Sequence, residues 1–260
     1  MQTVYIGSTL VNDVMLGSQR MDDVLQSLSF QAEYLVVAGG GGGGVFQSAK
    51  AAGGGGAGGL LSGSVKILNN YQYQIGVGAG GTQGINGSNS FFTGSYFYLV
   101  STGGGAGAKD SADGNNGGSG GGGAVTFAGF TAGGTGVVGQ GNNGATGSTD
   151  LGLNKAGPGG GAGASPTSET IGGAGKFSSI SGTQILYASG GYANSNTSAG
   201  THYRGIGGDG GILLSNAGKS GGSGSVIIRY EGSQIANGGT VTTDGSYTIH
   251  TFTSSGTFSY

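Results

Sequence analysis

Runs of consecutive glycine constrain this chain more than any other feature: Gly39–Gly44, Gly53–Gly56, Gly103–Gly105, Gly120–Gly123 and the stretch 157–163. Glycine in a helix interior costs about 1 kcal/mol relative to alanine, and in a strand it offers no side chain to pack. Neither ordinary element suits these runs. The ordered alternative is the extended left-handed helix with three residues per turn, whose backbone donors and acceptors point sideways and make no bonds within their own segment. A six-glycine run at ~3.1 Å per residue spans roughly 19 Å, and without Cβ atoms several such backbones can approach closely enough to bond one another. Buried amides need partners, so the expected core is backbone, reinforced by Cα–H···O contacts of about 0.5–1 kcal/mol each. A bulky residue inside it, as in Gly120→Val, is expected to wedge the lattice apart. The alternative, flexible glycine linkers, fits poorly because the runs are short, repeated and bounded by strand-like segments. The expected fold class is all-β with a polyglycine II-like helical bundle and almost no α-helix.

Composition narrows the function classes. The chain has 68 glycines among 260 residues but only two prolines, and its glycines follow no fixed period of three, which excludes collagen. Nine basic against eleven acidic residues leave no basic field for a phosphate backbone, so no nucleic-acid partner is expected. Twelve tyrosines and ten phenylalanines with few charges run against the composition of disordered chains. With no cysteine there is no disulfide framework and no thiolate metal site. No segment is patterned as a signal peptide or as an 18-residue apolar span. The expectation is synthesis in the cytoplasm, no membrane insertion, and any onward transport by a route other than Sec.

Residues 1–28 contain an imperfect ten-residue repeat, VYIGSTLVND from Val4 and VMLGSQRMDD from Val14. Each unit reads as a short strand, a Gly-Ser turn and a return strand. Two small hairpins bury too little to stand alone, so this segment is expected to dock on a larger assembly through Val4, Ile6, Val14, Leu16 and Val24. Residues 29–260 form the second expected unit, a glycine-rich β/polyglycine domain. In it Tyr34–Val37 is a buried strand feeding the first glycine run. Ser64–Leu68 is expected to form a hairpin through Asn69-Asn70 with the alternating stretch Tyr71–Val77. Further strands are expected at Ser90–Phe92 with Tyr96–Val100, at Ser225–Tyr230, at Thr240–Thr243 and Tyr247–Phe252 around Asp244-Gly245, and in the last residues.

Chemical motifs must be weighed against a composition that generates them by chance. Gly76, Gly78 and Gly81 fit GxGxxG, but the following TQGINGS cannot start the helix that would hold a pyrophosphate. Gly218-Lys219-Ser220 lacks the first P-loop glycine, and GGSGG at 117–121 lies off any strand-to-helix elbow. The two histidines, His202 and His250, are too few for a metal site, and His250 reads as a structural strand residue, half-buried or at the surface. Asp110 and Asp113 sit in a glycine loop unlike a fixed carboxylate pair. No enzymatic activity, cofactor or metal is expected. Above this background stand aromatic residues among Asn, Ser, Thr and Gly, a mixture suited to binding surfaces because rigid rings supply contact area at low entropy cost. The candidate receptor-binding residues are Phe91, Tyr96, Phe127, Phe130, Tyr192, His202, Tyr203 and Arg204; others of the aromatics are expected to cap the ends of the glycine bundle.

The segments EYLVVAGGGGGG at 33–44, GSGSVIIRY at 222–230 and GGTVTTDGSYTIHTFTSSGTF at 238–258 resemble those of the glycine-rich-domain structural proteins of tailed bacteriophages, found in tail fibres and tail-tip adhesins. The VYIGST and VMLGSQ units are similar to strand-turn repeats that open such proteins. The resemblance implies a virion appendage that docks on neighbouring virion proteins through its N-terminus and binds an outer-membrane protein or polysaccharide of the host, with a homotrimer as the implied oligomer. A head or neck decoration protein and a polysaccharide depolymerase spike are the alternatives. One departure matters: in relatives the YTIHTFTSSGTF segment precedes EYLVVAGGGG, whereas here it follows, as a permuted domain or the start of a second unit.

Overall fold

The computed structural model describes residues 4–6, 9–11, 15–16, 19–20, 29–45, 51–94, 96–110, 112–150, 153–194, 200, 203–211 and 218–260. It contains no helix among these residues, and all pairings between its strands are antiparallel. The amino-terminal repeat gives β1 (Val4–Ile6) paired with β2 (Thr9–Val11), and β3 (Met15–Leu16) paired with β4 (Gln19–Arg20). Val14 and Val24 lie outside the described residues.

The body begins with β5 (Ser29–Val37), followed by β6 (Leu60–Leu68), β7 (Gln72–Gly76), β8 (Ser90–Gly94) and β9 (Phe97–Ser101). Short hairpins follow, β10 (Ser148–Asp150) with β11 (Leu153–Lys155) and β12 (Lys176–Ser178) with β13 (Ile185–Tyr187). The chain then runs through β14 (Ser225–Glu231), β15 (Thr240–Asp244), β16 (Tyr247–Phe252) and β17 (Gly256–Ser259). Two sheets organise it: a five-stranded sheet ordered β15-β16-β14-β5-β6 and a four-stranded sheet ordered β17-β7-β8-β9. They face each other across Ala32, Val36, Ile67, Tyr73, Phe92, Val226, Ile228, Phe252 and Phe258. Leu35 and Val37 point to the opposite face of β5, where they pack with Ile227, Ile249, Tyr187, Ala162 and Ala188. Burial on both faces explains why Tyr34–Val37 is continuously apolar rather than alternating.

The pairing corrects one expectation. Ser64–Leu68 and Tyr71–Val77 do not form a hairpin: β6 pairs with β5, whereas β7 pairs with β8 and β17. Ile67, Tyr73 and Ile75 are all buried in the same inter-sheet core, so the chain turns at Asn70, in the left-handed region at φ 59°, and crosses to the facing sheet. The carboxy-terminal segment belongs to the same body, since β16 lies against β14 and β17 against β7.

Between and beyond the sheets, the glycine runs bond to one another. In the run 38–44, Ala38, Gly41 and Gly44 donate to the carbonyls of Gly59, Gly56 and Gly53; Gly39 and Gly42 donate to Ser88 and Ile85; Gly40 and Gly43 donate to Gly222 and Lys219. The direction returns every third residue. Carbonyls follow the same rhythm, with Gly39 and Gly42 accepting from Gly104 and Gly107, Gly40 and Gly43 from Gly81 and Gly84, and Gly41 and Gly44 from Gly208 and Gly211. Six segments thus surround this run, and it is buried throughout. A Cβ at Gly42 would stand 1.9 Å from the Thr82 carbonyl oxygen, and one at Gly120 1.9 Å from that of Gly134. Backbone, not a flexible side chain, occupies the space.

His250 is fully buried in β16, against the expectation of a half-exposed position. Its Nδ1 lies 2.7 Å from the Gly238 carbonyl and its Nε2 3.1 Å from the Tyr230 hydroxyl. The geometry suits a neutral ring with Nδ1–H donating and Nε2 accepting. The Tyr230 oxygen in turn accepts from the amides of Ile235 and Ala236. Burial holds the imidazole below its ordinary value, partly countered by the Gly238 carbonyl.

Two outcomes follow from this core. Gly120→Val is expected to cost at least about 3 kcal/mol or prevent folding, whereas Gly256→Ala, whose Cβ would meet nothing nearer than 3.9 Å, stays within about 0.5 kcal/mol; chemical denaturation of both variants checks the contrast. A lowered folded-state histidine pKa means that the unfolded chain takes up the proton first, so stability falls as pH drops below about 6.5. Thermal midpoints measured across that range should decline more steeply for wild type than for His250→Gln.

Candidate functional site

The registers of the runs define two ends. Val37 leads from β5 into the run 38–44, and the run 51–59 leads back into β6, so residues near Ala38, Gly59 and Thr102 lie at the sheet end. Residues near Gly44, Gly53 and Ala108 lie at the far end, six residues along the run.

This frame separates the aromatic candidates. Phe127 and Phe130 occupy a tight far-end turn in which the Thr126 amide donates to Gly129 O at 2.7 Å and Val125 bridges both Phe130 and Ala51. Phe127 is 80% exposed and Phe130 52%. Tyr192, 45% exposed, also lies toward this end, since its carbonyl accepts from Gly210 while the next amide, that of Gly211, reaches Gly44. Tyr203 and Arg204 lie at the opposite, sheet end: Gly205 accepts from Gly58, and a Cβ on it would meet Ala38. His202 lies outside the described residues.

Two candidates serve the sandwich. Phe91 sits in β8 paired with Gly76, and its ring covers that glycine so closely that a Cβ there would stand 2.1 Å from it. The Tyr96 hydroxyl lies 2.8 Å from that of Tyr73 and donates to the Lys66 carbonyl, tying β6 to the four-stranded sheet. Burial first and the Tyr73 hydroxyl second push the Tyr96 phenol well above its ordinary value.

The Asn, Asp and Gln residues of the loops have a structural task at the margin of the glycine lattice, where a run lacks a neighbour on one side. Asn86 Oδ1 accepts from Ala106 N, Asn89 Oδ1 from Gly103 N, Asp113 Oδ1 from Ala132 N, Asn116 Oδ1 from Thr135 N, Asn143 Oδ1 from Gly136 N and Gln140 Oε1 from Thr102 N, all at 2.7–2.9 Å. Asp209, 2% exposed, accepts the Tyr192 amide at 3.0 Å. Each side-chain oxygen takes the part that a carbonyl of a neighbouring run plays elsewhere in the lattice.

Sequence reasoning missed two hollows. One, of about 400 Å³, lies on the flank among the runs 172–175, 189–192 and 206–209, with Ile171, Phe177 and Tyr192 at its edge and Asp209 in its lining. The other, of about 310 Å³, joins Tyr203 and Arg204 to Ser181, Tyr187, Ser225, Thr251 and Thr253. Tyr187 and Ser181 carried no pattern that would have singled them out; pairing of β12 with β13 brings them to the sheet end. Among the described residues, no group of three or more His, Asp or Glu is arranged to hold a metal ion, and no helix is long and apolar enough to cross a membrane.

In comparison with known proteins, residues 25–231 match a family model described as a glycine-rich domain. No curated protein matches the chain. For the lattice margin, Asp209→Ala is expected to lose about 1–3 kcal/mol by stranding the Tyr192 amide, and Asp209→Asn, which keeps the acceptor, distinctly less; denaturation midpoints of the two variants separate an amide cap from a need for the charge.

Proposed function

The chain belongs to the glycine-rich-domain family, whose model covers residues 25–231, and on that premise we propose that it is an appendage protein of a tailed-bacteriophage particle, a tail fibre or tail-tip adhesin that binds the host surface without catalysis. Its lattice is a polyglycine II bundle: bonds that return every third residue and six neighbours around one run fit left-handed helices of three residues per turn. The virion assignment rests on the resemblance of the segments at 33–44, 222–230 and 238–258. The strand-turn units of residues 1–28 dock the subunit on other virion proteins, and a homotrimer is the proposed assembly.

The observation that carries the binding role is the far-end turn at Phe127 and Phe130. Large apolar side chains on a soluble surface are ordinary when single, but here two rings are held outward on a four-residue turn whose ends are bonded to the lattice. A rigid mount removes much of the ordering cost of binding. Tyr192 adds a third ring toward the same end. The separation of Tyr203 and Arg204 from these residues divides the predicted receptor set in two, and the far-end set is the one placed away from the sheet that continues toward the amino-terminal units.

Particles carrying Phe127→Ala with Phe130→Ala are expected to adsorb to host cells at least about tenfold more slowly, since aromatic anchors at interfaces commonly contribute 2 kcal/mol or more each. Adsorption kinetics, with thermal melting of the isolated variant to establish folding, provide the check. Unchanged adsorption by a folded variant removes the far end from the proposal.

A further inference from the structure

The second hollow is built unlike the rest of the surface. Tyr203 holds a left-handed backbone conformation at φ 63°, uncommon for a tyrosine, and two serines keep it there: the Tyr203 amide donates to Ser223 Oγ at 3.0 Å, and Ser225 Oγ donates to the Tyr203 carbonyl at 2.8 Å. Backbone held in such a region marks places where the surrounding structure fixes a side chain for a task. Here that side chain is Arg204, which enters the hollow of about 310 Å³.

The lining is one-sided in charge. Arg204 forms no salt bridge with a carboxylate among the described residues, and the hollow is lined by no Asp or Glu. Asp244 packs beside Gly182 and is not part of the lining. Four hydroxyl residues from two segments line the hollow with Arg204: Ser181 and Tyr187 from the β12–β13 hairpin, and Thr251 and Thr253 from the end of β16 and beyond. Tyr187 is 3% exposed, and burial raises its phenol above the ordinary value, while a hydrogen bond with Ser181 and then the Arg204 charge work in the other direction. Ile227 supplies an apolar wall.

A planar guanidinium with convergent hydroxyl donors and no competing carboxylate matches a small oxyanion, which arginine engages through two parallel N–H···O bonds. We propose that the Arg204 hollow is an oxyanion-binding subsite, taking the carboxylate or phosphate carried by a cell-surface glycan. That the anion comes from a host glycan rests on the host-binding reading above; the anion site itself does not.

The test is a ligand-observed NMR titration of the full chain with glucuronate, inorganic phosphate and neutral glucose, on wild type, Arg204→Gln and Arg204→Lys. Wild type is expected to bind at least one of the anions and not glucose, with affinity falling about tenfold or more in Arg204→Gln, as for loss of hydrogen bonds to a charged group. Arg204→Lys should fall between, because a point charge cannot form the paired bonds. Equal thermal midpoints show the fold intact. Preference for glucuronate assigns a carboxylate source and preference for phosphate a phosphorylated one. No anion binding by wild type, or binding that Arg204→Gln leaves unchanged, overturns the site. An intact anion site together with unimpaired adsorption of particles carrying Arg204→Gln as well as Phe127→Ala and Phe130→Ala would sink the host-binding reading alone.

Discussion

The hydrogen bond from the amide of one glycine run to the carbonyl of another is the interaction on which the rest of this molecule depends. Each is worth only about 1 kcal/mol net, and glycine surrenders more backbone freedom on folding than any other residue. The arrangement holds because nearly every donor and acceptor of a run such as 38–44 is used, so that no buried amide is left to carry a desolvation penalty. The inter-sheet core of Tyr73, Phe92, Phe258 and their neighbours then acts as the clamp. It fixes where runs start, at Val37, Gly76 and Ser101, and where they finish, at Leu60, Ser90 and Ser225.

Alanines mark the places where this packing opens by one methyl group. Ala57, Ala162 and Ala188 turn toward the β5 sheet, while Ala51, Ala156 and Ala193 meet at Val125, and Ala108 meets Ala124. A run is therefore not uniformly intolerant. Its three directions differ, and a small side chain is accepted only where that direction faces a seam rather than another backbone.

Much of this was legible in the residues. Strands at Tyr34–Val37, Ser90–Phe92, Ser225–Tyr230 and Tyr247–Phe252 follow from β-branched and aromatic runs bounded by turn residues, and the bonding between glycine runs follows from the absence of Cβ atoms. Other features were not. Asn69-Asn70 has the look of a hairpin turn, yet Ile67 and Tyr73 needed burial on facing sheets, a demand that no local pattern expresses. The aromatic candidates drew together in composition but not in space, because Phe91 and Tyr96 answer to Gly76 and Tyr73, and Tyr192 and Tyr203 lie at opposite ends of the runs. The loop amides posed the same difficulty. Asn89 or Asn116 reads as a solvated turn residue until the run beside it is known to end the lattice on that side.

The lateral margin resembles the edge of a β-sheet, which natural proteins shield against pairing with another chain. Here the shielding is done by the side-chain oxygens of Asn86, Asn89, Asp113, Asn116 and Asp209, which imitate the missing carbonyl. The reversal of direction between runs that follow one another along the chain, as from 38–44 to 53–59, carries a different consequence. Every run is spent between the same two levels, so the connections at the far level, such as 82–85 and 125–130, start and stop on fixed posts. Lengthening or rewriting such a connection leaves the posts where they are, and closing a longer loop costs little. Inheritance can thus conserve the frame almost atom by atom while the crown is exchanged piecemeal, as interchangeable cassettes on a common plug.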